Sequence, residues 1–259
     1  MKPVKERCTV ISHKMIAPGI FSLYLQTGSI AQMASAGQFV SVYSNDGSRI
    51  LPRPVSLCGI GREDGTIRLV YRIAGKGTEE FSKLKPGDTV SCMGPLGNGF
   101  PTEKSKGKRV LLIGGGIGLP PMLQAAIESG GENIIAAGYR DCTFLTEEFE
   151  KAGQLIIATE GGSAGTKGTV LDAISSAGIP RADIIFACGP KPMLRAVHEY
   201  AQKEGIPCWV SLEERMACGV GACLGCVCRT KETDAHSNVK NARVCTDGPV
   251  FLSTEVDLS

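Results

Sequence analysis

Cys218, Cys223 and Cys226 are spaced C-x4-C-x2-C, and Cys245 follows further along the chain. Three thiols so close in sequence lie on one loop, and a fourth must return to it from a later segment. This is the plant-type spacing for a [2Fe–2S] cluster, which four thiolates hold. Gly219, Gly221 and Gly225 stand between the thiols, where a loop wrapped round a cluster needs backbone freedom and small residues. A structural zinc site is the alternative. Zinc sites pair short cysteine knuckles, and here the returning segment offers Cys245 alone. His236 stands in the same segment as a candidate ligand for either metal. A Rieske centre takes two histidines, and this segment has one. Cys228 is out of register. A pattern started at Cys223 would require a cysteine at Lys231, so Cys228 reads as a packed bystander thiol.

The rest of the chain is long enough to carry more than this loop. Its 259 residues suit two domains plus a small module. The 42% hydrophobic content supports real cores, and 28 basic against 26 acidic residues leave a net charge of only +2. With no long basic run and no basic–aromatic interleaving, nucleic acid is excluded as a partner. The locally basic Lys104–Arg109 reads as a solvated linker. No run of about 18 apolar residues occurs, so no membrane helix is expected. Met1–Arg7 has no apolar signal core and leads directly into strand-like sequence. Eleven cysteines in such a chain fit metal ligands and reduced thiols, and a cytoplasmic setting.

Residues 1–101 read as all-β. Strands are expected at Cys8–Ile11, Ile20–Gln26, Gln38–Tyr43, Val55–Ile60, Ile67–Ile73 and Thr89–Met93, separated by turn sequences such as Pro18-Gly19 and Glu63-Asp64-Gly65. This spacing predicts a small closed barrel, with a short helix near Thr78–Leu84. Pro101–Lys108 is the linker. From Arg109 the texture alternates. Strands are expected at Val110–Ile113, Asn133–Tyr139, Gln154–Ala158, Asp183–Ala187 and Cys208–Ser211. Helices are expected at Pro121–Glu128, Thr146–Lys151, Gly168–Ser176 and Pro192–Lys203. That alternation predicts a parallel α/β sheet. The cysteine module begins at about Leu212. The expected division is 1–101, 108–211 and 212–259.

Several motifs sit at the places this layout makes useful. Gly114-Gly115-Gly116-Ile117-Gly118 follows a strand and opens a helix, where glycines let the backbone approach a pyrophosphate. Leu119 takes the last glycine position of the usual fingerprint, and Arg140 follows the next strand where an acidic residue is customary. In the β half, Arg53 and Ser56 of Arg53-Pro54-Val55-Ser56 can bind phosphate. Tyr71 offers a ring to cover a flavin, Arg72 offers a cation, and Gly75-Lys76-Gly77-Thr78 makes a small anion-binding loop. Cys188-Gly189-Pro190 ends the fourth α/β strand, where ligands of open sheets bind, so Cys188 is a candidate neighbour of the nicotinamide. Glu160, at the end of the preceding strand, is a candidate for ribose hydroxyls. Plain packing or solvated-surface roles stand beside each of these readings. His13 and His198 are isolated and are given no role.

In their order along the chain, these motifs, with Gly94-Pro95-Leu96-Gly97-Asn98-Gly99-Phe100, resemble the ferredoxin–NADP reductase superfamily. That resemblance implies an FAD-binding β-barrel followed by a nicotinamide-binding parallel α/β domain. The segment Glu213–Cys226 and the run Cys245-Thr246-Asp247-Gly248-Pro249-Val250-Phe251 resemble the electron-transfer subunits of type B dihydroorotate dehydrogenases. The resemblance implies cluster ligands at Cys218, Cys223, Cys226 and Cys245. It implies FAD contacts at Arg53, Pro54, Val55, Ser56, Val70, Tyr71, Arg72, Gly77 and Thr78, and a nicotinamide site at the glycine run Gly114, Gly115, Gly116 and Gly118, beside which Glu160 stands as the candidate ribose contact for NAD. The implied partner is an FMN-containing catalytic subunit that oxidises dihydroorotate in pyrimidine synthesis, in a heterotetramer of two copies of each chain. Electrons would pass singly through the [2Fe–2S] cluster to FAD, which would give a hydride to NAD+. Two alternatives remain at this point. One is an NADPH-using reductase subunit of another complex in the same superfamily. The other is a zinc-stabilised binding module without enzymatic activity.

Overall fold

The structure is a computed structural model that describes residues 2–233 and 238–259. The N-terminal half runs β1 (Val4–Ala17), β2 (Ile20–Gln26), α1 (Ile30–Met33), β3 (Phe39–Val42), β4 (Arg53–Gly61), β5 (Thr66–Arg72), α2 (Lys76–Phe81) and β6 (Thr89–Leu96). The strands close into a barrel in the order β1-β2-β5-β4-β3-β6. Alternation explains the closure. On β5, Ile67, Leu69 and Tyr71 join the barrel core with Leu23, Leu25, Val40 and Val55, while Arg68, Val70 and Arg72 take the outer face. β1 is longer than the sequence suggests. Register shifts at Val10/Ser12 and Met15/Ala17 bend it, so that one strand pairs with β6 at its start and β2 at its end. Such bulges break the period-two pattern, which is why only Cys8–Ile11 is legible as a strand.

The second half runs β7 (Arg109–Gly115), α3 (Leu119–Glu128), β8 (Glu132–Tyr139), α4 (Thr146–Ala152), β9 (Gln154–Thr159), β10 (Thr166–Lys167), α5 (Val170–Ala177), β11 (Ile184–Cys188), α6 (Lys191–Glu204) and β12 (Cys208–Ser211). It ends with β13 (Val227–Arg229), β14 (Asn241–Arg243) and β15 (Val250–Leu252). The sheet order is β10-β9-β8-β7-β11-β12-β15. Consecutive strands spread to one side of β7 and then to the other, so the switch point lies between β7 and β11. Its central strands are buried apolar runs, as helices on both faces require. Helix ends are marked in the sequence. Thr169 and Asp172 form a reciprocal capping box on α5, which stops at Gly178 with φ +57.

One strand crosses the expected boundary at Leu212. β15 adds to the sheet antiparallel to β12, with Trp209 opposite Leu252 and Ser211 opposite Val250. Three apolar residues after a proline are too few to announce a strand, and the partner edge supplies what local sequence lacks. The cysteines are therefore held between a strand of the α/β sheet and its own returning edge.

The two halves are joined by specific contacts. Gln124 Oε1 accepts from Ile60 N at 3.0 Å, and Glu128 accepts from Ala36 N at 3.0 Å and pairs with Arg62 at 2.7 Å. Arg68 on the barrel pairs with Glu148 at 3.1 Å. Phe100, leaving the barrel, packs its ring 5.0 Å from Phe186 in the sheet. Among the described residues no helix is long and apolar enough to cross a membrane.

Candidate metal centre and nucleotide sites

The loop Cys218–Cys226 folds back on its own sulfurs. Cys218 Sγ accepts N–H bonds from Val220 and Cys223, each at 3.4 Å, and Cys223 Sγ accepts from Gly225 at 3.4 Å. Cys226 Sγ accepts from Cys245 N at 3.4 Å, which brings the returning segment to the loop. Positive φ at Gly219 (+71), Gly221 (+80) and Leu224 (+56) turns these N–H groups inward. Burial opposes ionisation of Cys218, yet the N–H groups of Val220, Cys223 and Ala222 outweigh it and bring the thiol down to about 7. Burial and the neighbouring Cys226 thiol push Cys245 up to about 12. A metal that displaces that proton reverses this penalty.

The donor set fits a two-iron cluster. The four cysteines fall into two neighbouring pairs, Cys218 with Cys223 and Cys226 with Cys245. Two irons with two thiolates each require such a division. N–H bonds to the sulfurs are also the protein's means of tuning such a centre. Cys228 lies on β13 opposite Ala242 of β14 and packs in the α/β core. His236 lies outside the described residues.

Three further side chains hold this centre together. Asn98 donates to Thr246 O and Asp247 O, both at 3.1 Å, and its N–H reaches Gly248 O at 2.6 Å. Arg243 pairs with Asp247 at 3.1 Å and reaches Gly221 O at 3.5 Å, tying the two cysteine segments together. Gly219 is buried against β3 and β6, whereas Ala222 to Gly225 are exposed. The loop thus has a barrel side and a solvent side.

The predicted flavin residues lie on β4, β5 and the start of α2. Arg53 packs on Gly77 so closely that a Cβ there would stand 2.7 Å from its Nε. Its guanidinium also donates to Leu51 O at 2.7 Å. Arg53 and Gly77 thereby make one corner at the barrel rim, suited to a phosphate. Pro54 and Ser56 share the outer face of β4, and Val70 and Arg72 that of β5. Val55 and Tyr71 point the other way, into the barrel core. The Tyr71 ring stacks with Phe21 at 5.9 Å, and its hydroxyl is 3.0 Å from His13 Nε2. Burial raises its pKa. Strand parity gives the reason, since Tyr71 falls in phase with Ile67 and Leu69. Thr78 Oγ1 is engaged in its own loop, accepting from Ala74 N at 2.9 Å and Gly75 N at 3.2 Å. Arg53→Ala removes a charge-assisted contact of about 1.5–3 kcal/mol. FAD affinity is expected to fall at least about tenfold, measured as flavin retained through desalting; full retention would refute the phosphate role.

The glycine turn after β7 serves two ends. Gly115 and Gly118 are packing glycines: a Cβ at Gly115 would meet Met193 Sδ at 2.6 Å, and one at Gly118 would overlap the Cys188 carbonyl. Gly116, with φ +54, has open space where its Cβ would be and is the position left for close approach of a ligand. Gly114 pairs with Cys188, and Cys188 with Ser211, across the switch point. The turn also abuts β5, so the crevice beyond the strands faces the predicted flavin strand. Cys188 is half-buried; burial, opposed by the Ser211 hydroxyl and assisted by Glu213, pushes its pKa up to about 12. It is therefore a neutral thiol beside the crevice. Glu160 is exposed just past β9, with its N–H on Tyr139 O at 3.2 Å. Arg140 is 84% exposed and lies 3.7 Å from Asp141.

Residues 213–257 match the family model described as the iron–sulfur cluster binding domain of dihydroorotate dehydrogenase B. The chain is 42% identical to the dihydroorotate dehydrogenase B (NAD(+)) electron transfer subunit of Geobacillus thermodenitrificans, over 98% of this chain and 99% of the relative. It is 40% identical to the corresponding subunit of Caldanaerobacter subterraneus, over 97% and 98%. The chain belongs to this family of electron transfer subunits. A solved structure of an NADH-dependent reduced ferredoxin-NADP oxidoreductase, studied for flavin-based electron bifurcation, superposes on it with TM-score 0.85. That chain is 30% identical, with 97% of this chain and 90% of that chain covered. The cytochrome b5 reductase domain of Ulva prolifera nitrate reductase shares the fold at TM-score 0.64 and 19% identity, over 78% and 94%.

For a member of this family, the barrel, the α/β sheet and the cysteine loop are the expected parts. Sequence reasoning missed the residues that join them. Asn98 stands in the quoted Gly94–Phe100 run, but nothing local says that it reaches Asp247. Ser41 and Tyr43, beneath the cluster loop, carry no signal beyond strand alternation.

Proposed function

We propose that this chain carries electrons between a dihydroorotate-oxidising, FMN-containing subunit and NAD+, in pyrimidine synthesis in the cytoplasm. The observation that carries this reading is the two-sided cysteine loop, seated on the barrel at Gly219 and open to solvent at Cys223–Gly225. When bound, the [2Fe–2S] cluster supplies a one-electron relay and FAD supplies the exchange between single electrons and a hydride.

The chain's own residues provide positioning. Cys218, Cys223, Cys226 and Cys245 hold the cluster, and the loop N–H groups stabilise charge on their sulfurs. Arg53 and Gly77 hold FAD phosphate, while Pro54, Ser56, Val70 and Arg72 give it an outer barrel face. Gly116 admits the NAD pyrophosphate, Cys188 forms a neutral wall of the nicotinamide crevice, and Glu160 accepts from ribose hydroxyls. The solvent side of the loop, with Leu224 64% exposed, faces the partner. Two copies of each chain make the complex. The functional limits remain 1–101, 108–211 and 212–259, with β15 as a structural loan from the last to the second.

The test is elemental. Anaerobically purified chain is expected to hold two irons and two acid-labile sulfides; stoichiometric zinc in their place would overturn the reading. Nicotinamide choice follows from the carboxylate at Glu160 and the solvated Arg140. Steady-state turnover with NADH is expected to exceed that with NADPH, and parity would contradict the NAD assignment.

A second reading has one observation behind it, the likeness to an oxidoreductase that works with ferredoxin and NADP. Under that reading the partner is another reductase component. Copurification from the native source with a chain other than an FMN-bearing dihydroorotate-oxidising one would favour it.

A further inference from the structure

The Cys218 end of the cluster loop rests on a seat built from the barrel's outer face. A Cβ at Gly219 would stand 3.0 Å from Ser41 Oγ, 3.4 Å from Leu96 and 3.8 Å from Met93. Ser41 is on β3 and pairs with Met93 of β6. Tyr43, two residues beyond Ser41, leaves the strand on the same face. Its N–H continues the ladder to Ser91 O at 2.9 Å, and its hydroxyl lies 3.8 Å from Met93 Sδ. Lys5 Nζ stands 4.0 Å over its ring and holds it from outside. Met93 bridges Tyr43 and the loop, its Sδ 3.8 Å from the Tyr43 hydroxyl and its Cε 3.8 Å from a Cβ at Gly219. Ser41 is 1% exposed, so the seat is a closed contact.

The other edge of β3 meets the flavin strand. Ser41 is opposite Pro54, and Phe39 opposite Ser56. Adjacent strands are about 4.8 Å apart. The cluster loop thus sits one strand away from the segment assigned to FAD, and β3 is the only strand between them in the barrel order.

We propose that Ser41 and Tyr43 are positioning residues for internal electron transfer, seating the Cys218 end of the loop on β3 and so setting its separation from FAD. This rests on the FAD assignment under Proposed function. Transfer between the centres moves one electron at a time, and no bond or proton changes hands at the seat. Its rate falls steeply with separation, so a small lift of the loop has a large effect.

The experiment uses the full chain with FAD and cluster in place, mixed with NADH. NADH gives two electrons to FAD; one passes to the cluster and the other stays on the flavin. Cluster reduction is followed by visible absorbance, and magnetic coupling between the two centres by freeze-quench electron paramagnetic resonance. Ser41→Val crowds Gly219, and Tyr43→Leu removes the ring and hydroxyl. Both are expected to weaken the coupling and slow cluster reduction by about tenfold or more, as small displacements of reacting centres do. Iron and flavin contents stay at parent values. If Ser41→Val does not fold, Tyr43→Leu and Tyr43→Phe carry the test. Parent coupling and rate in Tyr43→Leu and in any folded Ser41→Val would overturn the proposal, as would loss of iron from these variants before any change in coupling. A parent chain without a flavin spectrum would instead refute the FAD assignment, and this proposal with it.

Discussion

Cys245→Ser is expected to abolish the visible absorption of the cluster, whereas Cys228→Ser is expected to keep it. The two thiols stand in sharply different places. Cys245 is 2% exposed, and its N–H bonds to Cys226 Sγ, so it delivers its sulfur directly to the loop. On the proposed ligand set, serine there would withdraw one of the four thiolates and offer a poor oxygen donor in its place. Cys228 lies on β13 opposite Ala242 and packs among the α/β core residues. Burial pushes its pKa up to about 11, as for a thiol that stays protonated. Its replacement costs about 1–3 kcal/mol for a buried hydroxyl lacking a partner, a loss of stability with no loss of iron. Absorption spectra and iron content of the two variants check this. Retention in Cys245→Ser together with loss in Cys228→Ser would show that the wrong thiol was assigned.

The parts of the fold that local chemistry dictates were legible without coordinates. Alternation in Ile67–Leu69–Tyr71 and the turn residues at Gly19 and Gly65 announce a barrel, and the apolar run Val110–Ile113 announces a buried parallel strand. The iron–sulfur segment is legible because a cluster loop must be short, and residues 213–257 match the iron–sulfur domain model. What was not legible depends on partners distant in sequence. β15 becomes a strand only because β12 presents a free edge. Asn98 and Arg243 tie down the cysteine segments through contacts that no local pattern encodes. Composition names Tyr71 as an aromatic near a flavin motif, and strand parity turns its ring inward. The glycine run was read as a phosphate cradle throughout, but Gly115 and Gly118 are needed for packing against Met193 and Cys188.

The second large effect concerns the coupled reaction. On the proposed function, dihydroorotate-dependent NAD+ reduction would run through the FMN subunit, the cluster and FAD in series, so breaking any link is expected to stop it. NADH-dependent dye reduction needs only the nicotinamide crevice and FAD. Removing the cluster through Cys245→Ser is therefore expected to abolish the coupled reaction while sparing most dye reduction, because the cysteine loop and the crevice occupy different elements. Equal loss of both activities would mean that the loop is structural for the whole chain.

The most direct measurement is NADH formation from dihydroorotate and NAD+, with this chain and the FMN subunit assayed separately and together. The account predicts no dihydroorotate oxidation by this chain alone, and NADH formation when the two are combined. Oxidation of dihydroorotate by this chain alone, or failure to bind and couple to any FMN subunit, would contradict it.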